Sequence, residues 1–123
     1  MAPIREFAIE LYRTADGKVP FLEWLAGVRD PHERARIDIR LARVRAGNLG
    51  DHRELQDGIV ELRLFHGPGY RVYCAREGST AIVLPLGGIK KTQSKDIRTA
   101  RALYAEYKSR NTEAHGQLPR RPD

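Results

Sequence analysis

Residues 59–93 limit the possible folds most, because they read as three short strands joined by two tight turns. In residues 60–64 apolar and charged side chains alternate, which is typical of a strand with one buried face. Residues 70–76 alternate in the same way and are rich in aromatic and β-branched side chains. Residues 80–86 are almost entirely apolar, as expected for a strand covered on both faces. This stretch therefore predicts an antiparallel three-strand meander.

Both connections of the meander have the composition of turns. In the first, Pro68 fixes φ at a central position, and Gly69 permits the positive φ that a type II turn requires. The second is a short Glu-Gly-Ser turn at residues 77–79.

The alternation also predicts which side chains share a sheet face. If Leu62 and Val72 point into the core, then Arg63, Arg71 and Tyr73 point to the opposite side. Two guanidinium groups and an aromatic ring on one open face suit a phosphodiester and a stacked base. An ordinary solvated sheet face explains the same residues, and alternation alone favours that interpretation.

The flanking segments complete an α+β domain. The arginines of the second helix are expected to cover its solvent side. The element order is β-α-α-β-β-β-α, with the helices largely on one side of a small antiparallel sheet and the arginine face open. The predicted segments are a strand at 5–13, helices at 19–28, 31–46 and 94–110, a polar connector at 50–58, and a mobile tail at 111–123 after a single domain of residues 1–110.

The positive charge is concentrated in one part of the chain. Residues 1–57 contain 10 Lys or Arg and 10 Asp or Glu, whereas residues 58–110 contain 10 and 4. The net charge of +6 therefore falls on the meander and the helix that follows it. This asymmetry indicates a polyanionic partner, either nucleic acid or an acidic protein.

Other features exclude several function classes. Cys74 is the only cysteine, so an internal disulfide is impossible and a cysteine metal cluster is not expected. The four histidines are scattered without metal-ligand spacing, and we expect neither a metal nor a cofactor. There is no apolar run long enough for a membrane helix and no secretory signal at the N-terminus, so we expect a cytoplasmic protein that does not contact membranes.

An ordered set of motifs resembles the RelE superfamily of toxins, in particular the HigB-like branch called addiction module killer proteins. The similarity covers roughly residues 5–108. The motifs are Glu61-Leu62-Arg63, then Gly67-Pro68-Gly69-Tyr70-Arg71-Val72-Tyr73, then Gly87-Gly88 followed by Lys90-Lys91-Thr92-Gln93, Asp96-Ile97 and Ala100. The resemblance implies a RelE-like fold and the toxin of a type II toxin-antitoxin system. Such a toxin is an endoribonuclease that cleaves mRNA on the ribosome and is inhibited by a helix-turn-helix antitoxin.

The resemblance also implies roles for individual residues. Arg71 matches the arginine that binds the scissile phosphate, Arg63 a basic position on the preceding strand, and Lys90 or Lys91 the basic residue after the last strand. Cleavage would proceed without metal, by attack of the 2′-hydroxyl on its own phosphate. One lysine of the pair is a candidate for the base, because neighbouring ammonium groups disfavour each other's charge. The RNA-binding positions that we assign are Tyr73, Tyr70, His66 and Gln93. Cross-strand packing explains Tyr73 equally well, and a solvated turn residue is the ordinary interpretation of His66.

Two departures from the family pattern leave the general acid and base open. Where some ribonuclease members have a tyrosine in the C-terminal helix, this chain has Ile97, and His66 occupies a turn position that is often aromatic.

Two other functions remain possible from the sequence. ParE-type toxins share this fold and poison gyrase without a nuclease site. The second possibility is that the chain is a non-catalytic basic binding module or a decayed toxin. The cluster of Arg63, Arg71, Lys90 and Lys91 favours the nuclease, because RNA cleavage needs converging cations.

Overall fold

The computed structural model describes residues 7–77 and 81–117, and the side chains of residues 7–76 and 85–110. The predicted α+β class is confirmed. The elements are β1 (Ala8–Leu11), α1 (Pro20–Ala26), α2 (Pro31–Arg45), β2 (His52–Glu54), β3 (Ile59–Leu64), β4 (Tyr70–Glu77), β5 (Ala81–Ile89) and α3 (Gln93–Gln117), with single turns of 3-10 helix at Gln56–Gly58 and Lys90–Thr92.

The sheet has five strands in the order β1-β5-β4-β3-β2. The predicted meander of β3, β4 and β5 is antiparallel throughout, whereas β1 pairs with β5 in parallel. A parallel partner is possible here because the long connection through both helices and three strands crosses from one end of the sheet to the other. The edge strand β2 lies in the segment that was predicted to be a polar connector.

The first face of the sheet carries the larger core. We call first face the side on which Val60, Leu62, Val72 and Cys74 point, and α1 and α2 cover it. Asp30 caps α2 by accepting a hydrogen bond from the backbone N–H of His32 at 2.8 Å, and Pro31 begins the helix at the predicted residue. Burial raises the pKa of Cys74 to about 12, so its thiol is a packing group and not a nucleophile.

The opposite side, the second face, has a smaller core of its own. Ile59, Tyr73 and Ala75 pack there against Ala100 and Tyr104 of α3. The prediction that the helices lie on one side of an open sheet is therefore wrong in this respect. The second face is apolar at one end and cationic at the other, and the apolar end needs the cover of an amphipathic helix.

Helix α3 continues to Gln117, beyond the predicted end at Arg110. Residues 111–117 contain no proline, so the backbone hydrogen-bond pattern propagates through them. Residues 111–117 of the predicted tail are therefore helical. Residues 118–123, and residues 78 and 79 of the predicted second turn, lie outside the described residues. Among the helices of the described residues, none combines the length and apolarity needed to cross a membrane.

Two adjacent glycines in β5 let groups approach the sheet closely from both sides. A Cβ on Gly87 would overlap the ring of Trp24 in α1. A Cβ on Gly88 would overlap the carboxylate of Asp96 in the first turn of α3. These glycines are therefore needed for close approach, which brings Asp96 onto the second face.

This geometry makes Gly88 and Asp96 energetically coupled. We expect Gly88→Ala to lower the free energy of unfolding by about 1–3 kcal/mol, because the added methyl group displaces the carboxylate. In an Asp96→Ala background the same change should cost less, by roughly 0.5–3 kcal/mol. Urea denaturation of the two single variants, the double variant and the wild type measures this difference.

The control is Ile39→Ala, on an α2 side chain that is 54% exposed. Its small effect should be the same in both backgrounds. Additive effects of Gly88→Ala and Asp96→Ala would contradict the described packing.

Candidate phosphate-binding site

Arg63 and Arg71 are direct cross-strand neighbours on the second face. Their Cα atoms are partners in the β3–β4 register, so both side chains leave the sheet on the same side. The prediction that they share a face is confirmed. Like charges directly opposite each other destabilise a sheet. The pair therefore does not contribute to folding stability through its charges.

The Arg71 guanidinium is buried without a carboxylate partner. The residue is 5% exposed, and its Nη1 donates a hydrogen bond to the carbonyl oxygen of Tyr70 at 3.2 Å. Its Nε has no hydrogen-bond partner, and within the described residues no carboxylate lies within 4.0 Å of it. A buried cation that lacks a counter-charge is costly, and an anion that reached it would remove this cost.

Lys90 lies beside Arg71 at the end of the sheet. A Cβ placed on Gly69 would be 3.2 Å from the Lys90 Cβ and 3.8 Å from the Arg71 Nη1. The backbone N–H of Lys90 donates to the carbonyl oxygen of Gly69 at 2.8 Å, which fixes this arrangement. Gly69 has the predicted positive φ, at 80°. Lys90 and Lys91 are both exposed on the turn before α3, and Lys90 is the one that adjoins Arg71 across Gly69.

Arg63, unlike Arg71, forms an ion pair, and this pair with Asp51 is partly exposed. Its Nη2 lies 3.2 Å from the Asp51 Oδ1, and the two side chains are 35% and 39% exposed. Exposed pairs of this kind contribute at most about 1 kcal/mol. The Arg63 Nε has no hydrogen-bond partner. A phosphate group can therefore compete with the Asp51 carboxylate for the Arg63 guanidinium.

A buried carboxylate that sequence reasoning did not assign lies next to this pair. Glu61 is fully buried, and its Oε2 accepts hydrogen bonds from the Gln93 Nε2 at 2.7 Å and the Tyr73 hydroxyl at 3.3 Å. Its Oε1 lies 3.6 Å from the Arg53 Nη2 and has no hydrogen-bond partner. Glu61 thus links β3, β4 and the start of α3 beneath the site, and its burial keeps it from direct contact with a substrate.

Two of the predicted RNA-binding residues, Tyr73 and Gln93, donate hydrogen bonds to Glu61. Tyr73 is fully buried, and burial together with the negative charges of Glu61 and Asp96 raises its pKa. A base-stacking ring must be accessible, so the structure corrects that assignment of Tyr73. Gln93 donates its amide N–H to Glu61 and belongs to the support of the site.

Tyr70 and His66 are not brought together with Arg71. Tyr70 lies on the first face, packs edge-on against Trp24 at 5.9 Å and donates its hydroxyl hydrogen to Glu33. Its burial and the Glu33 hydrogen bond raise its pKa to about 12. The His66 ring lies 5.1 Å from the Tyr70 ring. The alternation indicates this separation, because Tyr70 and Arg71 are consecutive in one strand.

Asp96 is the second acidic group near the site. Its carboxylate lies over Gly88, which is the register partner of Arg71, and it accepts a hydrogen bond from the Thr92 hydroxyl. Unlike Glu61 it is only partly buried. The arrangement can therefore bind one phosphate between two guanidiniums and an ammonium group, with Asp96 at its margin.

No known family model matches the chain. A protein of Haemophilus influenzae that is described as uncharacterized is 41% identical over 86 residues, which are 70% of this chain and 87% of the relative. At that identity and coverage, the chain belongs to the same protein family as this Haemophilus influenzae protein.

Proposed function

We propose that the protein is an endoribonuclease that cleaves mRNA on the ribosome as the toxin of a type II toxin-antitoxin system. The observation that carries the proposal is the buried Arg71 guanidinium, which lacks a carboxylate partner and shares its sheet face with Arg63. The ordered motifs that resemble the HigB-like branch of RelE toxins support it. A cytoplasmic location and inhibition by a helix-turn-helix antitoxin belong to the same proposal.

The proposed reaction is a transesterification within the RNA. The 2′-oxygen forms a bond to the adjacent phosphorus, and the bond from phosphorus to the 5′-oxygen breaks. The products are a 2′,3′-cyclic phosphate and a 5′-hydroxyl. Negative charge grows on the non-bridging oxygens, and Arg71 and Arg63 stabilise it. Preorganised charges of this kind supply a large share of many enzymatic rate enhancements.

Two proton transfers accompany the reaction. A base removes the 2′ proton, and an acid supplies a proton to the leaving 5′-oxygen. Glu61 does not reach a substrate because it is fully buried, so it acts as a positioning residue that orients Gln93 and Tyr73. Lys90 is exposed beside Arg71, and we assign one of the two transfers to its amino group.

Replacement of Arg71 tests the phosphate site. We expect Arg71→Ala to slow cleavage of a ribosome-bound reporter mRNA by about 10²–10³-fold, since one transition-state donor contributes roughly that much. Arg71→Lys should retain part of the rate, because it keeps the charge and loses the planar fork. Mapping of mRNA 5′ ends over time measures both rates, and circular dichroism verifies that both variants fold.

The matched control is Arg98→Ala, which removes an exposed arginine from α3 and should cleave at the wild-type rate. Wild-type cleavage by Arg71→Ala would remove Arg71 from the site. Gyrase-linked DNA breaks without cut mRNA would assign the protein to the ParE-like class, and no effect on growth would indicate a non-catalytic module.

The two lysines provide a second matched pair. We expect Lys90→Ala to slow cleavage by about 10²–10⁴-fold, as is typical when a proton-transfer group is lost, and Lys91→Ala to slow it far less. The same end-mapping assay compares the two variants. Equal rates for Lys90→Ala and the wild type would show that Lys90 transfers no proton.

A further inference from the structure

A basic groove lies between α2 and the end of β3. Its volume is about 330 Å³, and four of the residues that line it are positively charged against one that is negative. The cations are Arg36, Arg40, Arg43 and Arg63, and the single carboxylate is that of Asp51. The sequence alone suggested that the α2 arginines merely cover a solvated helix side.

One of these arginines is hydrogen-bonded to the backbone, and two others form no ion pair within the described residues. The Arg40 guanidinium donates hydrogen bonds to the carbonyl oxygens of Leu49 and Arg63 at 2.8 Å. Burial lowers the pKa of Arg40, the nearby charge of Asp51 opposes this shift, and the charge of Arg43 adds to it. Arg36 and Arg43 are exposed, and no ion pair within the described residues involves them. They are therefore available to an anionic ligand.

The groove also presents an exposed aromatic ring. Phe65 is 78% exposed and Ile39 is 54% exposed, and both line the groove. An exposed phenylalanine is costly to leave in water and forms a stacking platform for an unpaired base. Phosphate-binding guanidiniums beside such a ring are the combination that proteins use to bind single strands.

Arg63 connects the groove to the candidate phosphate site. It lines the groove, and it is also the cross-strand partner of Arg71 on the second face. Because α2 covers the first face and Arg71 lies on the second, a strand that has a phosphate at Arg71 reaches the groove by passing Arg63, beyond the end of β2. We propose that this groove binds single-stranded RNA flanking the scissile phosphate, with a base on Phe65 and phosphates at Arg36 and Arg43.

This inference rests on the proposed function, since it extends the same substrate from the same site. An acidic protein segment is the competing occupant. RNA is favoured because the groove shares Arg63 with the candidate phosphate site and because its Phe65 ring is 78% exposed.

Binding of an RNA that cannot be cleaved tests the groove separately from catalysis. The probe is a fluorescein-labelled 12-nucleotide single strand of mixed sequence with 2′-O-methyl groups throughout, and fluorescence anisotropy at several NaCl concentrations gives its Kd. We expect Phe65→Ala to weaken binding about 5- to 100-fold. The double variant Arg36→Gln/Arg43→Gln should reduce the salt slope by roughly 0.7 for each arginine removed.

The controls are Leu22→Ala and Arg29→Gln, exposed positions outside the groove, which should bind as the wild type does. Wild-type affinity and salt slope in both groove variants would overturn the inference, whatever the cleavage assay shows. If a fluorescein-labelled peptide of alternating Glu and Leu binds more tightly than the RNA and loses binding in Phe65→Ala, the groove is a protein-docking surface and the inference is also overturned. If the groove variants weaken RNA binding but the wild type cuts no mRNA, the proposed function alone fails.

Discussion

The arrangement of the second face depends on one unfavourable contact, the direct opposition of Arg63 and Arg71 across two strands. Three carboxylates lie nearby, and none of them forms an ion pair with Arg71 in the described part of the chain. Asp51 pairs with Arg63, Glu61 binds Gln93 and Tyr73, and Asp96 accepts from Thr92. The fold therefore positions a buried cation and leaves its charge unbalanced, which is the condition under which an anionic ligand binds strongly.

The packing on both sides of the sheet holds this cation in place. Helix α3 covers the apolar end of the second face, and Gly88 lets Asp96 approach the sheet next to the strand that carries Arg71. On the first face, Gly87 lets the ring of Trp24 approach β5, the strand that also contains Gly88. Because the two glycines are adjacent, one dipeptide sets the distance of a helix on each side. The position of the site thus depends on the same contacts that form the two cores.

The sequence predicted the meander, the start of α2 and the shared face of the two arginines, because all three follow from local periodicity and turn chemistry. It did not predict the side on which α3 packs, since Ile59, Tyr73 and Ala75 read equally well as parts of an exposed face. The parallel pairing of β1 and the short edge strand β2 depend on long-range contacts. Glu61 was in phase with Arg63 and visible as a charge on the same face, whereas nothing local indicated that Gly88 receives the Asp96 carboxylate.

The Arg71 phosphate site is tested most directly by an NMR titration of the Arg71 Nε–H resonance in the ¹⁵N-labelled protein with a 2′-O-methyl RNA dinucleotide. We expect a saturable shift of that resonance, a smaller shift for Arg63, and none for the exposed Arg98. A dinucleotide that binds and leaves the Arg71 resonance unchanged would contradict the claim that this buried guanidinium is a phosphate site.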